Sequence, residues 1–244
     1  MAKIALITGA NRGLGFETAR RLARAGVKTI IGARDPAKGE RAADALRDQG
    51  LDVESVPLDV DSASSVRAAA EHVEARHGRL DILVNNAGIL PEATAETDEP
   101  VDPEMFRRTF ETNVFGVVSV IHEVLPLLRE SDSGRIVNVT STMGSLADQG
   151  DPSSPYYELG VPAYRTSKLA LNGITVALAK LLEDTPIKVN SVCPGSVQTD
   201  LAPGNREAAA LTPEAGSRIV VEMALISGDG PTGRFVDRRG AVAW

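Results

Sequence analysis

Cysteine is almost missing from this 244-residue chain: Cys193 stands alone, and a single thiol cannot close an internal disulfide. The only histidines are His72, His77 and His122, and they have no metal-site spacing. The sequence therefore predicts neither a disulfide scaffold nor a metal site, and the amphipathic stretch around His72 and His77 reads as a solvated helix face. Aromatic residues make up 4% of the chain, and 26 Lys+Arg against 33 Asp+Glu leave a net charge of −7. Such a chain has no basic field for nucleic acid or for an anionic membrane. Long apolar runs are missing as well. The first, at 4–7, gives way at once to Thr8-Gly9 and is too short for a signal-peptide core or a membrane span. These absences predict a cytoplasmic protein with no nucleic-acid and no membrane partner.

What is present is an ordinary globular composition, 43% hydrophobic and 24% charged. Short β-branched runs at 3–8, 27–33, 53–58, 80–85, 135–139, 188–192 and 233–236 alternate with segments of helical period at 13–25, 36–49, 62–76, 103–128, 164–182 and 213–226. That rhythm is a series of βαβ units. Right-handed crossovers between parallel strands place helices on both faces, so the expected fold is α/β, one doubly wound parallel sheet forming a single domain over 1–244. Two stretches break the rhythm, 90–103 and 142–163, and loops of that length inside a compact domain are commonly functional. The second reads as an insertion over a substrate pocket. With 199–211, the two would line that pocket at the carboxyl end of the sheet.

The first strand runs into Gly9-Ala10-Asn11-Arg12-Gly13-Leu14-Gly15 and then a helix. Glycines at that junction permit a tight turn and let backbone N–H groups and the positive helix end approach a pyrophosphate. About 20 residues further on, a nicotinamide site places an acidic side chain on a ribose hydroxyl or a basic one on a 2′-phosphate. Here the sequence reads Arg34-Asp35. Arg34 with Arg12 offers guanidinium forks for an extra phosphate, favouring NADP(H) over NAD(H). An Asp35 turned toward the ribose would weaken or reverse that preference.

Thr8-Gly9-x-x-x-Gly13-x-Gly15, Asn85-Asn86-Ala87-Gly88, Asn113, Ser141 and Tyr164-Arg165-Thr166-Ser167-Lys168 follow in one order along the chain. Together they resemble the short-chain dehydrogenase/reductase family, over essentially the whole sequence. Arg34, the lengthened 141–164 segment and the ending at 230–236 are similar to its NADPH-dependent carbonyl reductase branch. The resemblance implies hydride transfer from NADPH to a small aldehyde or ketone. Tyr164 would be the general acid/base, Ser141 would polarise the carbonyl, Lys168 would bind the nicotinamide ribose, and Asn113 would support a proton relay. It further implies that Asn86, Ala87 and Gly88 pack beneath the adenine and ribose, that Asp59 and Val60 lie near the adenine amine, and that Pro194, Gly195, Val197 and Thr199 hold the nicotinamide.

Independent chemistry points the same way, because residues four apart on a helix lie about 5–6 Å from one another. The Lys168 ammonium is therefore expected to favour the Tyr164 phenolate and lower a pKa that starts near about 10. Tyr156 and Tyr157 have no lysine four residues on and are set aside as catalytic candidates. Met143, Leu146, Tyr156, Tyr157, Leu159 and Val161 would give the insertion an apolar lid. Two alternatives stay open: NAD-linked oxidation of a secondary alcohol, and a non-catalytic NADPH-binding regulator. Monomer and homodimer are both open too, since the insertion can cover helix faces through which relatives pair.

Overall fold

A computed structural model describes residues 2–95 and 101–244. Positions 96–100 of the expected 90–103 loop lie outside the described residues. Eight strands form one sheet in the order β3-β2-β1-β4-β5-β6-β7-β8. They are β1 Ile4–Thr8, β2 Lys28–Ala33, β3 Val53–Pro57, β4 Ile82–Asn85, β5 Arg135–Val139, β6 Lys188–Val192, β7 Phe235–Asp237 and β8 Gly240–Ala241. The first seven pair in parallel, whereas β8 turns back antiparallel on β7. β8 was not foreseen: two residues carry no readable alternation.

The helices are α1 Gly13–Arg24, α2 Pro36–Arg47, α3 Ala63–His77, α4 Pro103–Phe110, α5 Val117–Arg129, α6 Leu146–Gln149, α7 Pro162–Leu181, α8 Asn205–Ala208 and α9 Pro213–Ala224. Alternation along the strands sorts the core into two layers. Leu6, Leu83, Ile136 and Val189 face α3 and α5, while Ile7, Val84, Val137 and Val192 face the layer of α1, α2 and α9. Every residue of β1 is buried, as expected of a strand covered on both sides.

α4 and α5 are joined through a π-helical turn at Glu111–Gly116, so the single helix expected at 103–128 is interrupted. The whole stretch Pro103–Arg129 is long and apolar enough by composition to cross a membrane. Its apolar side, including Val117, Val120, Ile121, Val124 and Leu128, belongs instead to the core. His77 departs from expectation. Its Nε2 lies 2.7 Å from the Glu54 carboxylate and its side chain is 9% exposed, because α3 packs its last turn against β3.

Candidate active site

β1 and β4 are sheet neighbours although two strands separate them in sequence. This is the point where a doubly wound sheet opens a crevice beyond its carboxyl ends. The glycine turn follows β1 and Asn86-Ala87-Gly88 follows β4, so both motifs meet there. Gly9 and Gly13 have φ of +64° and +56°, a conformation that a Cβ penalises. A Cβ on Gly9 would approach the Ala87 Cα to 3.0 Å, one on Gly15 the Asn86 Nδ2 to 2.5 Å, and one on Gly13 the Thr199 Cγ2 to 3.2 Å. Two separate stretches of sequence, at Asn86-Ala87 and at Thr199, therefore close around one turn.

The Asn86 amide faces the turn itself. Its Nδ2 donates to the Thr8 and Gly9 carbonyls at 2.8 and 3.2 Å, while Thr8 Oγ1 accepts from the Asn86 and Ala87 N–H groups at 3.0 and 2.9 Å. Thr8 is a residue that sequence reasoning quoted in a motif without giving it a role. No side chain caps α1, since Arg12 at its N-cap makes no capping bond. The first-turn amides are thus available to an anion, and Asn11, Arg12, Gly13 and Leu14 form a turn that fits a pyrophosphate.

Arg34 is exposed just after β2, and no acidic partner pairs with it among the described residues. Asp35 is occupied: it caps α2 by accepting from the Lys38 N–H at 3.1 Å, and the Lys38 ammonium lies 3.5 Å away. Arg12 is engaged too, at 2.9 Å from Asp200, which also holds Arg206. Asp59 Oδ1 accepts from the Asp61 N–H at 3.2 Å, and Ser62 rather than Asp59 caps α3. Val60 lies against Gly116 of the π-turn, where a Cβ would come within 3.0 Å of its carbonyl oxygen. Val197 is buried against Gly216 of α9, and Gly195 takes φ +83° beside Leu211. Pro194 leads into that turn directly from β6.

Tyr164 and Lys168 lie in the first turns of α7, at the carboxyl end of β5, and both are buried. A buried ladder of hydrogen bonds seats this helix on the sheet. Asn85 donates to Asn138 at 2.9 Å, Asn138 to Thr175 at 2.8 Å, and Ser191 lies 2.8 Å from Thr175. Ser141 follows β5 and begins a 3-10 turn, Thr142–Gly144. A Cβ on Gly144 would stand 2.7 Å from the Lys168 backbone carbon, so glycine lets that turn press against α7. The Tyr164 phenol lies near the Ser141 hydroxyl, which favours its ionised form.

The Lys168 Nζ donates to the Val139 carbonyl at 3.0 Å and lies 5.6 Å from the centre of the Tyr164 ring. The expectation that this ammonium lowers the phenol pKa is not met in the protein alone. Burial pushes the phenol well above its ordinary range, Cys193 and Tyr156 add to the rise, and only the nearby Ser141 hydroxyl opposes it. The ammonium sits over the ring face, and burial lowers its own pKa to about 8.

Asn113 lies in the π-turn, buried. Its Nδ2 donates to the Ile89 carbonyl at 3.0 Å and to Ser167 Oγ at 3.1 Å, and its Oδ1 accepts from the Ile89 N–H at 2.9 Å. It joins the strand end after β4 to α7. A Cβ on Gly88 would meet Asn113 Oδ1 at 3.3 Å and Lys168 Nζ at 3.5 Å, so those two polar groups converge above Gly88. π-turns of this kind recur at functional sites. Tyr156, assigned by the sequence to the lid and set aside as a catalytic candidate, lies within electrostatic range of Tyr164 and Cys193. Cys193 is itself buried beside Thr142 and Gly195. Only proximity in the fold marks either residue.

A family model described as "short chain dehydrogenase" matches residues 3–210. The chain is 41% identical over 233 residues to the short-chain dehydrogenase anuI of Penicillium roqueforti, covering 91% of this chain and 88% of that protein. An NADPH-bound carbonyl reductase from chicken fatty liver superposes with a TM-score of 0.85 at 27% identity, covering 100% of this chain and 99% of the other. A 3-ketoacyl-(acyl-carrier-protein) reductase from Brucella melitensis, complexed with NADH, gives a TM-score of 0.82 at 30% identity over 97% and 96% of the two chains. The crevice with its glycine turn, buried tyrosine and lysine is thus found in a chain that belongs to the short-chain dehydrogenase/reductase family, nicotinamide-dependent oxidoreductases that include carbonyl reductases.

Proposed function

We propose that this protein reduces the carbonyl group of a small aldehyde or ketone with NADPH. The observation that carries the reading is the Tyr164 phenol, buried near Ser141 and Lys168, beside the crevice where the glycine turn meets the end of β4. When bound, the cofactor supplies the hydride.

The chain's own residues supply binding and a proton. The uncapped first turn of α1 with Asn11, Arg12, Gly13 and Leu14 receives the pyrophosphate, and Lys168 holds the nicotinamide ribose. Asp59, Val60, Asn86, Ala87 and Gly88 border the adenine side, and Pro194, Gly195, Val197 and Thr199 border the nicotinamide. Arg34 receives the 2′-phosphate, a role supported by the absence of an ion-pair partner among the described residues and by the engagement of Asp35 with its own helix.

Ser141 Oγ donates to the substrate oxygen and polarises the carbonyl. As negative charge develops on that oxygen, Tyr164 Oη releases its proton to it. A phenol held protonated by burial suits an acid in this direction. Lys168, which converges with Asn113 above Gly88, leads the route by which Tyr164 is reprotonated, and Asn113 helps hold the water that links it. The segment 142–163, with Met143 buried, covers the substrate.

The test is steady-state oxidation of NADPH, with NADH in parallel, across aldehydes, diketones, quinones and cyclic ketones. Turnover with NADPH that disappears in Tyr164→Phe supports the reading. Full activity of Tyr164→Phe overturns the assignment of the acid, and a preference for NADH overturns that of Arg34.

A further inference from the structure

α7 carries both Tyr164 and Lys168, yet its start lacks the usual local cap: Val161 at the N-cap makes no side-chain bond. A helix leaves its first N–H groups without intrahelical partners. Here Pro162 has none to leave, and the Arg165 N–H reaches the Val161 carbonyl at 3.0 Å. The remaining orphans are the amides of Ala163 and Tyr164. Both are taken by Glu92: its Oε1 accepts from the Ala163 N–H at 2.9 Å and its Oε2 from the Tyr164 N–H at 2.7 Å.

Glu92 comes from far away in sequence, on the short 3-10 turn Pro91–Thr94 that follows Asn86-Ala87-Gly88. Its carboxylate therefore ties the segment bordering the adenine side to the residue that carries the phenol. A carboxylate at a helix N-terminus is held by charge-assisted bonds and by the positive helix end. One of its two bonds is to the backbone N–H of Tyr164 itself.

We infer that Glu92 is a positioning residue for Tyr164, its carboxylate holding the start of α7, and with it the phenol, in register with the segment that follows β4. The inference rests on the reading of Tyr164 as proton donor. The bonds themselves can be tested separately.

The experiment compares the full chain with Glu92→Ala and Glu92→Gln. Amide hydrogen exchange is followed by NMR, NADPH affinity by binding titration, and kcat is normalised to NADPH-binding sites. In Glu92→Ala, exchange at Ala163 and Tyr164 is expected to rise about tenfold or more, while that of Leu171, deep in the same helix, stays unchanged. Because misplacing a reacting group by about 1 Å costs up to about a hundredfold, kcat is expected to fall about tenfold, with the NADPH Kd changed less than about twofold. Glu92→Gln, whose amide oxygen still accepts one N–H, is expected to fall between the two.

Unchanged exchange at Ala163 and Tyr164, or a uniform rise along α7, overturns the inference. So does a local rise with kcat intact. If the wild-type protein reduces no carbonyl compound with NADPH, the functional reading fails, and the exchange data still decide whether Glu92 holds the helix start.

Discussion

Lys168 is 5% exposed, and its ammonium makes one hydrogen bond, to the Val139 carbonyl. Burial brings its pKa from the ordinary 10.5 to about 8. At 1.36 kcal/mol per pH unit, that gap means the folded protein carries the charge at a penalty of about 3 kcal/mol. The penalty is complete below pH 8, where folded and unfolded chains both hold the proton. Between pH 8 and 10.5 the unfolded chain binds more protons, so native stability rises with pH over that window. Lys168→Met removes the charge at similar length and forfeits the Val139 bond, worth about 1 kcal/mol. The variant is expected to be about 2 kcal/mol more stable than wild type at neutral pH, or about 4–8 °C in Tm for a chain of this size.

Thermal denaturation of both proteins at neutral pH and near pH 10 checks this. The gap should be several degrees at neutral pH and nearly closed at the higher pH. Tyr164 and Cys193, both pushed up by burial, also titrate in alkali, but both proteins contain them and the difference removes their common part. A variant that melts at or below wild type at neutral pH, or a gap that does not change with pH, would refute the argument. The variant should also lose turnover, because a buried charge that weakens the fold is then one the chemistry requires.

Gly144→Ala places a Cβ 2.7 Å from the Lys168 backbone carbon, and overpacking of that kind costs about 1–3 kcal/mol. Lower Tm and lower kcat are expected together, whereas Gly173→Ala, with nothing within 4 Å of its added Cβ, should leave kcat unchanged. Arg34→Asp removes a charged partner worth about 1.5–3 kcal/mol. Calorimetry should show 2′,5′-ADP binding weakened by about ten- to a hundredfold, with 5′-AMP little affected, and equal losses for both nucleotides would remove Arg34 from the 2′-phosphate site.

Much of this protein is written locally. β-branched runs spaced by amphipathic helices dictate a parallel sheet covered on both faces, since a strand such as β1, apolar on both sides, is stable only between two layers. Gly9 and Gly13 mark a turn that side chains would oppose, and the four-residue spacing puts Tyr164 and Lys168 on one helix face. Each of these follows from backbone geometry over a few residues.

The tertiary structure decided the rest, because it depends on groups that meet only after the chain has folded. Glu92 reaches the start of α7 from a turn after β4. Asn86 turns its amide to the glycine turn, Asp35 is taken up by its own helix, and His77 finds Glu54 across a strand. Tyr156, which lacks a lysine at helical spacing, comes within electrostatic range of Tyr164 through the path of the 142–163 segment. The pKa values of Tyr164 and Lys168 also belong to this class. Sequence spacing sets their neighbours along the helix, but burial, a property of the packed molecule, outweighs that local influence and moves both groups toward their neutral forms.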